Sequence, residues 1–332
     1  MRCSVIGAGS WGTALAIHLA KCGHDVTLWD RNPDRVAQMN TSRRNPRYLK
    51  DFTFPATLTA TSNLTQALQQ DMVVPALPSH ALREVLAPVA HHLPAHTTLA
   101  VATKGIESGS LLTMDGVMKE VFGPEVMPRL TILYGPSFAA ELAAGKPTAV
   151  AVAGRDEPAQ ITADAFHSNS FRAYHTDDMV GVCVGGSLKN VMAIACGISD
   201  GLDLGTNARA AIITRGLAEI TRLAVTMGAN PLTMMGLAGM GDLVLTCTGN
   251  LSRNRRVGLA LGQGRTLKDI LDELGEVAEG VVTAESGYQL SQKLNIELPI
   301  TKEVYEIIHN NKPATIALRD LLTRDRRAER DN

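Results

Sequence analysis

The chain has almost no excess of charge in either sign. Its 332 residues hold 32 Lys and Arg against 33 Asp and Glu, a formal net charge of -1 at pH 7. A protein built to grip a polyanion carries a basic excess, so this balance argues against a nucleic-acid partner. Cysteine is scarce too: Cys3, Cys22, Cys183, Cys196 and Cys247 are odd in number and unclustered. They do not form a disulfide framework and read as reduced, mostly packed thiols of a cytoplasmic protein. No uninterrupted apolar segment reads as long enough to cross a bilayer, so no membrane span is expected. The N-terminus enters a strand pattern at Arg2–Ile6 with no basic-then-apolar leader, and export is not expected. His91, His92 and His96 lie close in sequence, but Pro88 and Pro94 break any regular helix that could gather them, so no metal site is expected.

What the chain does hold is enough apolar material, 45% of 332 residues, for two domains. Residues 2–6, RCSVI, are a short β-leaning run, followed at once by Gly7-Ala8-Gly9-Ser10-Trp11-Gly12 and then by the helical pattern Thr13–Ala20. In such an element Gly7 makes the tight turn, Gly9 lets backbone approach a pyrophosphate, and Gly12 lets the helix pack against the sheet. The N–H groups at the helix start then face the phosphates. A lone GxGxxG is a weak signal, but this one stands between a strand and a helix. A second strand, Asp25–Trp29, ends in Asp30, 18 residues beyond Gly12, where a ribose-binding acid belongs, and Arg31 follows it.

Further β-like runs at Met72–Leu77, Thr98–Thr103, Leu130–Leu133, Ala149–Ala153 and Phe171–His175 alternate with helical or loop segments, the pattern of a doubly wound parallel sheet. Pro75 removes a ladder donor from its run, so a bulge or a late start to the pairing is expected there. Functional residues in such a sheet collect at the carboxyl ends of strands. Ser79, Lys104 and the Gly135-Pro136-Ser137 turn fall at such ends. A loop lysine is ordinarily just solvated; Lys104, between a buried-looking strand and a glycine, reads equally well as facing an anion.

After His175 no convincing strand appears, and the chain is expected to divide into a dinucleotide-binding Rossmann domain over residues 1–178 and an all-α domain over residues 179–332. The stretch GGSLKNVMAIACGISDG puts Lys189 near the expected start of a helix whose apolar positions Val191, Ile194, Ala195 and Ile198 recur at helical spacing. A single lysine is usually a surface charge. Here Gly185 and Gly186 precede it and an apolar run follows, so its ammonium is expected to leave the surface, where a lysine can act as a base near neutral pH. Asp242, among Gly236, Gly239, Gly241 and Leu243, is costly to bury alone and should have a partner. Ser252-Arg253-Asn254-Arg255-Arg256 reads either as a capped basic helix start or as donors for a phosphate.

Taken together the chain resembles the bacterial NAD(P)-dependent glycerol-3-phosphate dehydrogenases, essentially end to end. The resemblance rests on GAGSWGTALA (7–16), TKGIE (103–107), GPSFAAE (135–141), the long stretch 185–219, GLAGMGDLVLTCTGNLSRNRRVG (236–258) and VAEGV (277–281). It implies reversible reduction of dihydroxyacetone phosphate to sn-glycerol 3-phosphate with NAD or NADP, in a homodimer, on the way to phospholipids. By resemblance Lys189 moves the proton, and Ser10, Trp11, Arg31, Ala139, Val277 and Glu279 contact the dinucleotide. Lys104, Gly135, Ser137, Asp242, Ser252 and Asn254 match substrate positions, with Lys104 also near the cofactor, while Arg253 sees both ligands. Two positions depart from the pattern: Pro75, in a strand that is plain aliphatic in the family, and Cys183, where Glu or Gln is expected. Two other functions stay open on the residues alone. One is a 6-phosphogluconate- or hydroxyacid-type dehydrogenase, which also pairs a Rossmann half with a helical half. The other is a non-catalytic dinucleotide sensor, which needs neither Lys189 nor Asp242.

Overall fold

A computed structural model of the chain describes residues 1–274 and 278–325. Its first compact unit comprises Met1–Lys104 and Met114–Met179; its second comprises Gly105–Thr113 and the chain from Val180 onward. The short segment after Lys104 therefore belongs with the helical half, to which Ser187 ties it. The Ser187 hydroxyl accepts from the Gly105 N–H at 3.1 Å and donates to the Gly105 carbonyl at 3.0 Å.

The first unit is one eight-stranded sheet. Its strands are β1 (Arg2–Ile6), β2 (Asp25–Trp29), β3 (Leu58–Thr61), β4 (Met72–Pro75), β5 (Thr98–Val101), β6 (Leu130–Tyr134), β7 (Thr148–Gly154) and β8 (Phe171–Thr176). They lie in the order β3-β2-β1-β4-β5-β6-β7-β8. The doubly wound parallel sheet is present, with one exception: β6 and β7 run antiparallel, Tyr134 facing Ala151. The connection between them holds only the five-residue helix Ala139–Ala143. Strand β3 is not foreseeable from its four residues, LTAT. Nor does Pro75 cause a bulge or a late start: β4 pairs with β1 from Met72 onward, and Pro75 is its last residue, opposite Ile6. There the missing N–H costs no internal ladder bond, while the Pro75 carbonyl accepts from Ala102 N at 2.8 Å. Apolar β1, β4 and β5 are buried, and the helix Ser10–Lys21 packs its buried Ala14, Leu15 and Leu19 into the same core.

The second unit is helical and centres on the helix Met179–Gly201, nearly all of it buried. This helix begins ten residues before Lys189, so the lysine lies in its middle and not near its start. Gly185 lies inside this helix despite its weak propensity, and only glycine fits there, since a Cβ would come within 2.8 Å of the Ala238 carbonyl oxygen. Close packing against the Leu237–Gly241 turn sets that requirement. By length and composition this helix could cross a bilayer, contrary to the sequence expectation, but 83% of its apolar window is buried inside the protein. It serves as a core helix, packed against Gly205–Thr226, Asp242–Thr248, Glu279–Lys293 and Pro299–His309 through Leu223, Leu243, Ala284 and Val304.

Candidate active site

In the first unit the glycine turn has the geometry a dinucleotide needs. Gly7 takes φ +119°, and a Cβ on Gly12 would lie 1.9 Å from the Gly7 carbonyl oxygen. Only glycine fits at Gly12, which is how the helix starts so close to β1. A Cβ on Gly9 would meet no atom within 4 Å, so the backbone there is open to a ligand. Gly9 is the N-cap residue of the helix Ser10–Lys21, and no side chain caps it. Its first-turn N–H groups are thus left to an anion. The Trp11 indole N–H is buried and finds no acceptor among the described residues. These features fit a dinucleotide phosphate group.

The other first-unit candidates stand at the carboxyl edge of the sheet. The Lys104 ammonium donates to the Gly135 carbonyl at 3.4 Å and sits 5.3 Å from the centre of the Tyr134 ring. The Ser137 hydroxyl donates to the same carbonyl at 2.9 Å, and Ala139 opens the next short helix. Lys104, Gly135 and Ser137 are therefore brought together. Arg31 is exposed. Asp30 is not: it is 5% exposed, and its carboxylate is already engaged. Arg35 donates from Nε at 2.7 Å and from Nη2 at 2.6 Å, and the Asn32 N–H donates at 2.9 Å.

In the second unit Lys189 is 7% exposed. Its ammonium donates to Asp242 Oδ1 at 2.5 Å and to Thr246 Oγ1 at 2.9 Å. The partner that a buried Asp242 requires is thus the lysine, and Asp242 is 1% exposed. Thr246 in turn donates to the Asp242 carbonyl at 2.6 Å. Asp242 and Thr246 are the first and fifth residues of the helix Asp242–Thr248, so their side chains share one face. Next to them, the Cys247 thiol is pushed well up by its hydrogen bond with Cys196 and by burial. It stays neutral beside the ion pair.

A second set joins this one through Asn190, the neighbour of Lys189. Asn254 donates to Asn190 Oδ1 at 2.9 Å and accepts from the Gly280 N–H at 2.9 Å. The Asn254 amide thereby ties the helix Arg253–Gly262 to the lysine helix and to the start of the helix Glu279–Lys293. Ser252 caps the former, its hydroxyl accepting from Arg255 N at 3.2 Å. Arg253 is partly exposed at that helix start and Glu279 opens the helix that Gly280 continues. Both readings of the SRN cluster are thus compatible with the geometry: it is a capped helix start, and it presents Arg253. Val277 lies outside the described residues. Cys183 is buried, and its carbonyl shares the single Ser187 hydroxyl proton with the Gly105 carbonyl, lying 2.7 Å from that hydroxyl.

Two family models cover most of the chain. The N-terminal model of NAD-dependent glycerol-3-phosphate dehydrogenase matches residues 2–160, and the C-terminal model matches residues 178–319. The chain belongs to this family. It is 53% identical over 331 residues to glycerol-3-phosphate dehydrogenase (NAD(P)+) of Myxococcus xanthus, covering 99% of both chains. It is 52% identical to the enzyme of that name from Geobacter sulfurreducens, again with 99% of each covered. Among solved structures, the glycerol-3-phosphate dehydrogenase of Coxiella burnetii superposes with a TM-score of 0.92 at 42% identity, covering 97% of this chain and 99% of that one. A D-mandelate dehydrogenase bound to NADH shares the fold alone, at 14% identity and a TM-score of 0.62.

Thr246 and Asn190 are members of the site that sequence reasoning does not single out. Both carry a usable signal. Asn190 adjoins Lys189, and Thr246 follows Asp242 at i+4, the spacing that puts a second polar group on the same helix face.

Proposed function

We propose that this chain catalyses the reaction for which its family is named, reversible reduction of dihydroxyacetone phosphate to sn-glycerol 3-phosphate with NAD(P)H, supplying the glycerol phosphate of phospholipids. The observation that carries the reading is the buried Lys189, held by Asp242 at 2.5 Å and by Thr246 at 2.9 Å in a stretch that matches the family. When bound, the nicotinamide supplies or accepts the hydride. The chain's own residues have two tasks, to move a proton at the substrate C2 oxygen and to hold a phosphate dianion.

Lys189 is the proton donor for ketone reduction and the acceptor for alcohol oxidation. Asp242 favours its ammonium form, burial disfavours it, and the two oppose each other. Thr246 fixes the direction of the ammonium by accepting one of its three N–H bonds. The substrate phosphate is assigned to Arg253, Ser252 and Asn254, while Lys104, Gly135, Ser137 and Asp242 are assigned to the substrate by the family resemblance. Gly7, Gly9, Ser10, Trp11 and Gly12 receive the dinucleotide, and Arg31, Ala139, Val277 and Glu279 are assigned to it as well. The working form is a cytoplasmic homodimer.

The test is a turnover assay on the full chain that follows nicotinamide absorbance with NADH and NADPH side by side. Dihydroxyacetone phosphate should be reduced, with phosphate-free dihydroxyacetone and 2-hydroxyacids far poorer. Absence of turnover with dihydroxyacetone phosphate, or faster turnover of a hydroxyacid, would remove the reading. Sedimentation of the protein at micromolar concentration tests the dimer.

A further inference from the structure

An acid at the carboxyl end of the second strand in this fold ordinarily accepts from the ribose hydroxyls of NAD and repels a 2′-phosphate. Asp30 occupies that place. Strand β2 pairs with β1 in parallel, Ile6 opposite Trp29, and the Gly7 N–H donates to the Trp29 carbonyl at 3.1 Å. Asp30 therefore stands beside the glycine turn, one strand away. Yet its carboxylate is occupied by a guanidinium and a backbone N–H. A carboxylate offers roughly four acceptor positions, and three are taken: two by Arg35 Nη2 and Asn32 N on Oδ1, one by Arg35 Nε on Oδ2.

The arrangement is built in and not incidental. Asn32 caps the helix Pro33–Ser42, its side chain accepting from the Arg35 N–H at 2.9 Å, with Pro33 in the first turn. The Arg35 backbone is thereby held in the first turn, and its planar guanidinium meets both carboxylate oxygens side by side. The Arg35 side chain is 22% exposed and that of Asp30 is 5% exposed, so the pair is only partly screened by water. A partly buried arginine in this geometry cancels the acid's charge where it would otherwise act on the ribose.

We infer that Arg35 is a positioning residue for cofactor choice: by taking up the Asp30 carboxylate it withdraws the acceptor that selects NAD and the charge that excludes NADP. The inference rests on the dinucleotide reading of the glycine turn given above. It makes Arg35, through Asp30, and not Arg31 alone, the reason this chain would accept the 2′-phosphorylated form. Arg31, exposed and adjacent, remains available to meet the phosphate itself.

The test is direct binding, without turnover. Dissociation constants for NADH, NADPH, 5′-ADP and 2′,5′-ADP are measured by calorimetry on the full-length wild type, Arg35→Met, Asp30→Asn and the double variant Asp30→Asn/Arg35→Met. Arg35→Met should weaken NADPH and 2′,5′-ADP by about ten-fold relative to NADH and 5′-ADP, the order expected when a like charge is uncovered beside a phosphate. The double variant should restore most of the wild-type ratio, because the repelling charge has gone with its mask. Asp30→Asn alone should leave the NADPH/NADH affinity ratio at or above that of the wild type. This arm stands even if Arg35→Met does not fold. An unchanged ratio in Arg35→Met would overturn the inference. So would a double variant no better than Arg35→Met, which would mean that Arg35 touches the phosphate itself. An equal loss of all four ligands would make Arg35 a purely structural residue. A wild type that bound neither dinucleotide would instead remove the reading beneath, and this inference with it.

Discussion

Replacing Lys189 by methionine separates its chemistry from its packing. Methionine keeps most of the apolar stem and loses the ammonium that donates at 2.5 Å to Asp242 and at 2.9 Å to Thr246. Asp242 is 1% exposed, so the change takes the cation away from a carboxylate that water does not reach. Removing one member of a buried pair costs about 3–5 kcal/mol, most of it from the charge left behind. Asp242→Asn in the same chain should therefore recover most of that stability, and a double-mutant cycle in denaturant would read the coupling between the two. Activity should behave differently. A positioned proton-transfer group is worth about 10²–10⁴ in kcat, and neither methionine nor asparagine can replace it. The single and double variants should both show that loss with dihydroxyacetone phosphate, while dinucleotide affinity, to which neither Lys189 nor Asp242 is assigned, stays near wild type. Near-wild-type kcat in Lys189→Met would make the lysine a structural one. Recovery of activity together with stability in the double variant would show that the loss came from a distorted site and not from a missing proton carrier.

Arg253→Ala should weaken dihydroxyacetone phosphate by about 1.5–3 kcal/mol, the value of a charge-assisted contact. Dihydroxyacetone should be hardly affected, and comparison of KM for the two substrates gives the answer. Gly12→Ala should place a methyl 1.9 Å from the Gly7 carbonyl oxygen; overpacking of this kind costs about 1–3 kcal/mol or more, and calorimetry should find dinucleotide binding lost before the fold. Glu219 offers a pH test. It is fully buried against the start of the helix Pro299–His309, accepting from Ile300 N at 2.5 Å and from Thr301 N at 3.1 Å. Burial, outweighing those hydrogen bonds, raises its pKa to about 7 from the ordinary 4.5. The folded state then holds a proton that the unfolded chain has released, so stability falls as pH rises between these values, by about 3 kcal/mol in total. Denaturant unfolding of wild type and Glu219→Gln at pH 5 and pH 8 should show the drop in the former and a flatter profile in the latter; parallel profiles would refute it.

What can be read from the sequence is what neighbouring residues decide. The turn at Gly7–Gly12 is local, since its strand, its glycines and its helix follow one another, and the structure has it where the pattern puts it. Helical periodicity around Lys189 is local as well, but the start of that helix is not. The expected start near Lys189 misses the ten residues before it, where Gly185 is kept as glycine by its close approach to the Ala238 backbone. Strand β3 escapes notice for a related reason: LTAT has little pattern of its own, and it is a strand because β2 lends it a ladder, Val26 opposite Leu58. Asp30 shows a different limit. Its position points to the ribose, while the residue that occupies it, Arg35, lies beyond the strand end on the next helix, where a turn of the chain brings it back.

Asp242 marks how far physical necessity reaches without a fold. An acid among Gly236, Gly239, Gly241 and Leu243 can be buried only with a partner, and that much follows from the cost of desolvating a carboxylate. The partner's identity does not follow from it, because any cation on any packed helix would satisfy the same requirement. Lys189 answers it from 53 positions away. It can do so because Gly185, one turn earlier on the same helix, lets that helix come close to the Ala238–Gly239 backbone just ahead of the acid. Thr246 enters on the same terms, carried to the ammonium by a helix that begins at Asp242 itself. A side chain at Gly185 would push the Leu237–Gly241 turn away and lengthen the ion pair with it. Gly185 thus acts through the distance between lysine and acid.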